Sequence, residues 1–389
     1  MTNLLHPTKL RLICLFYMLV LLLSFTPFCF AETGVVPRGI FLATHQPLSG
    51  PAQEFSDIGK SAQAYFEYVN DQGGIHGRSI YLKIVDDQLN PEMASQSISE
   101  LTVKNDVFAV FSSVGSKTHQ AVYPLLKQQG MPSFFVGSNL PEWTQPVRAN
   151  VFGFMPTAST EARVLGKYLS GKHAGAELII WYAEKPVYLR AVNALTNNLF
   201  GVSAKLLPGK SGRLTAEWEL INERQPDLLI ALGNFGDLMD FLKASPNLNI
   251  PVFTGHALAD SRLPEWLSAV VSAHVRVLTA YPLNVETEHP GKKLHQQVLN
   301  EYAPRLNSSR WTLYGHAVAE LMIEVLKRSG RNLTRQKAVI AAENINQWQG
   351  KLLPPVSLDS RNHLALTSFR VSQILPGRVN HLSDWIDGR

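Results

Sequence analysis

Apolar residues recur at helical spacing between Ile58 and Val69, where Ile58, Ala62, Tyr65, Phe66 and Val69 form one stripe that needs a sheet to cover it. Gly73 and Gly74 stop that helix, and Ile80, Leu82 and Ile84 then alternate with Tyr81 and Lys83 before Asp86 and Asp87, the period of a strand. The same alternation of apolar runs and helical patterns continues from Arg38 onward. It predicts strands over 39–43, 79–85, 107–111 and 133–136, and a helix from the Asn90-Pro91-Glu92 start, with its cap, its proline at the first helical position and its first-turn acid. A helix over 117–129 ends at Gly130. A second series begins near Thr157: a helix over 161–169, a strand over 178–182, a helix over 189–199 and strands over 228–232 and 275–280. A long helix over 311–327 follows, with Leu313, Ala317, Leu321 and Val325 on one side. Strands alternating with helices build parallel sheets covered on both faces, so the class is α/β. No solenoid repeat or low-complexity run interrupts the pattern.

The string from Ser49 to Pro91, SGPAQEFSDIGKSAQAYFEYVNDQGGIHGRSIYLKIVDDQLNP, resembles the amino-terminal signature of the leucine/isoleucine/valine-binding protein family, the periplasmic solute receptors of ABC importers. The likeness continues from Val107 to Thr144 and extends as pattern over most of the remaining chain. It implies two doubly wound, Rossmann-like lobes joined by a multi-stranded hinge, the type I periplasmic binding fold, with domains discontinuous in sequence. Residues 32–157 plus about 282–355 are expected to form one lobe, and 158–281 plus about 356–389 the other. It further implies a monomer that closes on a small molecule and presents it to a membrane permease in the periplasm.

The ends and the composition agree with export. Lys9 and Arg11 precede an apolar run from Leu12 to Phe25, and Cys29-Phe30-Ala31 stands ahead of Glu32, so residues 1–31 read as a secretory signal cleaved after Ala31. The alternatives are an uncleaved anchor, since 12–31 is long enough to span a bilayer, and a lipidated Cys29, against which the bulky Pro27-Phe28 count. Both cysteines, Cys14 and Cys29, lie in this segment, so the mature chain forms no disulfide and relies on its core. Removing 1–31 takes two of the 36 Lys and Arg and none of the 31 Asp and Glu, leaving 34 minus 31, or +3, which argues against a nucleic-acid partner.

In doubly wound sheets, ligands bind outside the carboxyl ends of the strands. Two loops of the first half end strands there. Ser112 to Ser116 leads into a helix whose first N–H groups suit an anion, and Val136 to Leu140 supplies further donors. The resemblance implies that Ser116, Ser138 and Asn139 hold a ligand carboxylate and that Phe55, a few residues after the Ser-Gly-Pro loop, packs on the ligand. The plainer alternatives are a helix cap, a turn and a core phenylalanine. Counterpart loops of the second half offer Tyr188, Asn234 and Phe235, with Trp311 as a further aromatic. Amino-acid receptors of this family pair the ligand ammonium with an acid of the second lobe, because a buried cation without a partner is costly. Here the matching stretch reads Gly255-His256-Ala257-Leu258, with no acid before Asp260. Either Asp260 takes that role, or the ligand has no ammonium and His256 makes a neutral hydrogen bond.

No catalytic constellation is present. The chain carries no HExxH, GxSxG, GxxxxGK[ST] or GxGxxG motif, and its 12 histidines show no metal-ligand spacing, so neither an enzyme nor a bound cofactor or metal is expected. Asp86 and Asp87 read as loop-ordering residues rather than an acid/base pair, because neighbours on a strand point to opposite faces. The competing function is a periplasmic module that reports a ligand to a regulatory or signalling partner, which the sequence does not separate from a transport receptor.

Overall fold

The computed structural model describes residues 32–104, 107–210, 212–245 and 247–389. The signal expected over 1–31, with Cys14 and Cys29, lies outside the described residues.

A six-stranded sheet is formed by β1 (Val35–Val36), β2 (Gly39–Gln46), β3 (Ser79–Asp86), β4 (Ala109–Phe111), β5 (Ser133–Val136) and β6 (Val151–Gly153). Its helices are α1 (Ser56–Asp71), α2 (Pro91–Val103) and α3 (Ser116–Gln128). The parallel order is β3-β2-β4-β5-β6, with β1 antiparallel against the start of β2. Then α4 (Ala158–Lys172), β7 (Glu177–Ala183), α5 (Pro186–Thr196), β8 (Ser203–Gly209), α6 (Leu214–Arg224), β9 (Leu228–Leu232), α7 (Phe235–Lys243), β10 (Val252–Thr254), α8 (Leu263–Trp266), α9 (Ala269–His274) and β11 (Val275–Thr279) wind a second sheet of parallel order β8-β7-β9-β10-β11. The chain next adds α10 (Pro290–Tyr302), α11 (Arg310–Ser329) and α12 (Arg335–Glu343), and ends with β12 (Ser368–Leu375), β13 (Arg378–His381) and β14 (Ile386–Asp387), antiparallel additions beside β11. Both parallel sheets thus have the same order, second strand outermost and first strand beside it, which opens a crevice beside the first strand of each.

The expected two-lobed α/β architecture is the one observed. The chain passes between the sheets after β6, after β11 and before β12. Leu364 bridges Gly153 at the end of β6 shortly before the last passage.

The start of α11 is positioned by its packing in the first lobe. Helix α11 lies on α1 so closely that a Cβ on Gly315 would overlap the Ile58 carbonyl, and the Ser61 hydroxyl donates to the Thr312 carbonyl at 2.7 Å. Ser309 and Thr312 start α11 with a reciprocal capping box, so the Arg310-Trp311 pair is held at a fixed place beside the start of α1. In the strand-end loop, Asp86 accepts from the N–H groups of Leu48 and Ser49 at 2.8 and 3.3 Å and from the Ser49 hydroxyl at 2.6 Å, which orders the Ser-Gly-Pro turn. Gln46 ties the same region together, donating to the Ser112 carbonyl and accepting from Gly59 N–H.

Candidate ligand-binding site

The strand-end loops of both sheets converge on one cavity of about 540 Å³, in the size range of small-molecule sites. Glu54, Phe55, Asn139, Met155 and Pro156 line it from loops of the first sheet, and Arg310 and Trp311 from the start of α11. Glu161 enters from the first turn of α4, and Tyr188, Gly233 to Phe235, His256, Ala257, Arg262 and Trp266 from the second sheet's loops and helices. The cavity therefore lies at the carboxyl ends of both sheets, where the winding order opens a crevice.

Of the residues singled out from sequence, Phe55, Asn139, Tyr188, Asn234, Phe235 and His256 line this cavity. Ser116 and Ser138 do not. Their hydroxyls lie 2.7 Å apart, and Ser138 Oγ also accepts from Trp143 Nε1 at 3.2 Å and Leu140 N–H at 3.3 Å, so both serines are engaged in joining the two first-lobe loops. Asp260 also stays out of the lining: its carboxylate takes a bidentate pair of hydrogen bonds from Arg262 at 3.0 and 2.9 Å. It is already occupied by a local guanidinium, which the sequence alone did not reveal. Asn234 caps α7 through a capping box with Asp237, and Lys185 binds that same Asp237 at 2.7 Å.

Of the two acids that line the cavity, Glu54 is exposed and Glu161, which sequence reasoning placed only as part of a helix, is the enclosed one. Its side chain retains 16% of its surface. Among the described residues its one hydrogen bond is from His256 N–H to Oε1 at 3.3 Å, for a carboxylate able to accept about four. Burial pushes its carboxyl up to about 7, the His256 N–H opposing that only in part. His256 does not compensate: its Nδ1 is 3.7 Å from Oε1, beyond hydrogen-bond reach, and burial, aided by Arg310, lowers the imidazole to about 3, so it is neutral. The approach depends on Gly255, where a Cβ would collide with Glu161 Oε2.

Arg310 is the cation of the site. Its Nη1 donates to the Ala257 carbonyl at 3.0 Å, its guanidinium sits 4.6 Å from the Trp311 ring centre, and its Nε is buried without a partner. No carboxylate lies within ion-pair distance of it among the described residues. Arg262, by contrast, is neutralised by Asp260 and lies 4.9 Å over Trp266. No group of three or more metal-ligating side chains occurs among the described residues, and no helix among them is long and apolar enough to cross a membrane.

A family model described as "Periplasmic binding protein" matches residues 39–378, nearly all of the two-sheet body. The chain belongs to the periplasmic binding protein family. No curated protein sequence matches it. Among solved structures, this periplasmic binding protein is similar to a branched-chain amino acid ABC transporter protein from Thermus thermophilus with bound valine. The identity is 15%, covering 90% of this chain and 96% of that one, with a TM-score of 0.70. It is equally similar to a branched-chain amino acid transporter substrate-binding protein from Streptococcus pneumoniae in complex with isoleucine, at 13% identity, 90% and 100% coverage and a TM-score of 0.70. A fatty acid ABC transporter substrate-binding protein from Thermomonospora curvata matches at 19% identity, 92% and 94% coverage and a TM-score of 0.68. At these identities the likeness is one of fold, and the family resemblance read from the Ser49 to Pro91 string is met.

Proposed function

We propose that this protein is an exported receptor of an ABC importer, a monomer that binds a small amino acid or a related carboxylate or amide between its lobes and presents the closed form to a membrane permease. The observation that carries this reading is the placing of two under-bonded ionisable groups on opposite sides of one cavity. Arg310, from a helix packed on the first lobe, has a buried Nε with no partner, and Glu161, from the second lobe, has a carboxyl with one weak hydrogen bond. A buried ionisable group without a partner is costly, so a cavity with Arg310 and Glu161 enclosed on opposite sides is matched to a zwitterion: carboxylate toward Arg310 and Asn139, ammonium toward Glu161. The two relatives with bound valine and isoleucine support the amino-acid class, and the fatty acid receptor supports a carboxylate as the shared element. Contacts from both lobes exist only when the lobes are closed, so ligand shifts the hinge equilibrium toward the form a permease recognises.

The test is thermal unfolding of refolded, ligand-stripped protein against amino acids, simple carboxylates and amides. Ligand at 100 times its dissociation constant adds about 2.7 kcal/mol, a shift of a few degrees. X-ray scattering with and without the best ligand should show compaction, and absence of compaction with a saturating ligand counts against a closing receptor.

A further inference from the structure

The cavity's apolar walls are aromatic, and they come in two matched halves. On the first lobe Phe55 and Trp311 meet edge to face, ring centres 4.5 Å apart at 60°, with the Arg310 guanidinium over the indole. On the second lobe Phe235 and Trp266 meet edge to face, 5.2 Å apart at 88°, with the Arg262 guanidinium over that indole. All four rings line the same cavity, with Tyr188 as a fifth, whereas its aliphatic lining is confined to Met155, Pro156, Ala158 and Ala257. Phe235 keeps 43% of its surface in solvent even with Trp266 against it, an unfavourable position for a large ring.

We propose that the ligand's apolar part is a planar aromatic ring, clamped on lobe closure between the Phe55–Trp311 pair and the Phe235–Trp266 pair, with its carboxylate on Arg310. The proposal rests on the receptor reading and narrows it. Three physical points carry it. Edge-to-face packing fixes each pair, and each ring has only two rotatable bonds, so the walls are rigid and lose little freedom on binding. A flat ligand ring meets such walls in the offset-stacked and edge-on geometries that aromatic groups favour, while a branched aliphatic chain leaves gaps against planar faces. The guanidinium on each tryptophan covers one indole face, leaving the ligand the other aromatic surfaces, and in Arg310 the same group supplies the cation that holds a carboxylate beside the ring.

The probes are L-phenylalanine, L-tyrosine, phenylacetate and 3-phenylpropanoate, set against L-leucine, L-valine and isovalerate, titrated calorimetrically into ligand-stripped full-length mature protein. The expected result is that an aromatic probe binds at least about tenfold more tightly than the aliphatic probe with the same head group. Phe235→Ala and Trp266→Leu should each weaken the aromatic probe by about tenfold or more and reduce the gap between aromatic and aliphatic probes, with their thermal unfolding confirming a folded protein. Tryptophan fluorescence should change on binding in the wild type and change less in Trp311→Phe. If leucine or valine binds as tightly as phenylalanine, or if Phe235→Ala leaves the aromatic preference intact, the clamp is overturned while the receptor reading stands. Failure of every probe to bind overturns the clamp, and the receptor reading falls with it only if the wider panel of amino acids, carboxylates and amides is silent as well. Phenylalanine and 3-phenylpropanoate differ only by the ammonium, so their ratio reports on Glu161 separately from the ring.

Discussion

Arg310 Nη1 donates to the Ala257 carbonyl at 3.0 Å, joining the first turn of a helix packed on the first sheet to the loop after β10 of the second. The bond crosses the cleft between the lobes and uses one of five guanidinium N–H donors. Arg310 lines the cavity, and its guanidinium keeps further N–H donors beyond that one bond. On the proposed receptor reading, ligand and lobe closure share one side chain.

Arg310→Ala removes both the cross-cleft bond and the carboxylate's cation. Affinity for carboxylate ligands should fall by about 2 kcal/mol or more, roughly thirtyfold, with much of the loss in the dissociation rate. Scattering of the ligand-free variant should report a more open average form. Arg310→Lys should recover only part of the affinity, since a point charge cannot keep the Ala257 bond and a forked contact together. Equal affinity in Arg310→Ala and wild type would remove Arg310 from the site.

Glu161 and Glu320 should each make a contribution to ligand-free stability that declines as pH rises from about 4.5 to 8, against the opposite contribution of buried His256 and His295, whose imidazoles burial lowers to about 3, so the effect is read as the difference between wild type and variant. Burial raises the carboxyls of both Glu161 and Glu320 from an ordinary 4.5 to about 7. Glu320 accepts N–H bonds from Lys351 at 3.3 Å and Leu352 at 3.1 Å, which offset that burial only in part. Between 4.5 and 7 the folded chain holds protons that the unfolded chain has released, so the contribution is fully present below 4.5 and lost as pH passes 7. Each group accounts for at most about 3 kcal/mol. Glu161→Gln should flatten that slope and raise the ligand-free melting temperature at pH 8, while weakening ligands that carry an ammonium. If such a ligand binds, Glu161 gives up its proton, so the binding enthalpy at pH 6.5 should depend on the ionisation enthalpy of the buffer. A slope unchanged in both Glu161→Gln and Glu320→Gln would sink this assignment.

Gly255→Ala tests geometry without touching charge. Its Cβ would collide with Glu161 Oε2, so the carboxylate must swing away from the His256 N–H. Ammonium-bearing ligands should bind about tenfold or more weakly, with far smaller effects on ligands lacking an amine. Comparable losses for both ligand types would point instead to a general distortion of the loop after β10.

Ser138→Ala should act on stability rather than affinity. It leaves the buried Trp143 N–H and the Ser116 hydroxyl without their shared partner, a loss of about 1–3 kcal/mol in denaturant unfolding. A large change in ligand affinity with little loss of stability would return the two serines to the carboxylate role that the family resemblance implies for them.

Much of the fold was legible in the chain because the first lobe's strands and helices carry clean periods. The alternation from Ile80 to Ile84 became β3, and the Ile58 to Phe66 stripe became the buried face of α1. Strand β8 gave no such signal: as an edge strand most of its residues are exposed, and its sequence SAKLLPG has no buried face to imprint a period. The three-residue strands β6 and β10 are too short to show one. In the site, Phe55 and Asn139 are reached through the family resemblance, and Asn234 and Phe235 through their place after a strand of the second sheet. Glu161 and Arg310 are reached by neither, since each sits in the first turn of a helix where a charged residue is ordinary. Only the approach of Gly255 to the one and the seating of α11 against α1 for the other turn them toward the cavity.

The bond from Ser61 to the Thr312 carbonyl spans 251 residues of chain. At about 5–20 residues per second, the helix that α1 packs against emerges roughly 10–50 s after α1 itself. Until then the first lobe has its sheet but lacks the cover on α1, and its apolar stripe stays open to water and to any escort that holds unfolded chains. The second lobe's β7 to β11 run, unbroken in sequence, is complete earlier. The part of this protein that is made first thus waits for a late helix, and the second sheet in turn waits for β12 to β14 at the chain's end.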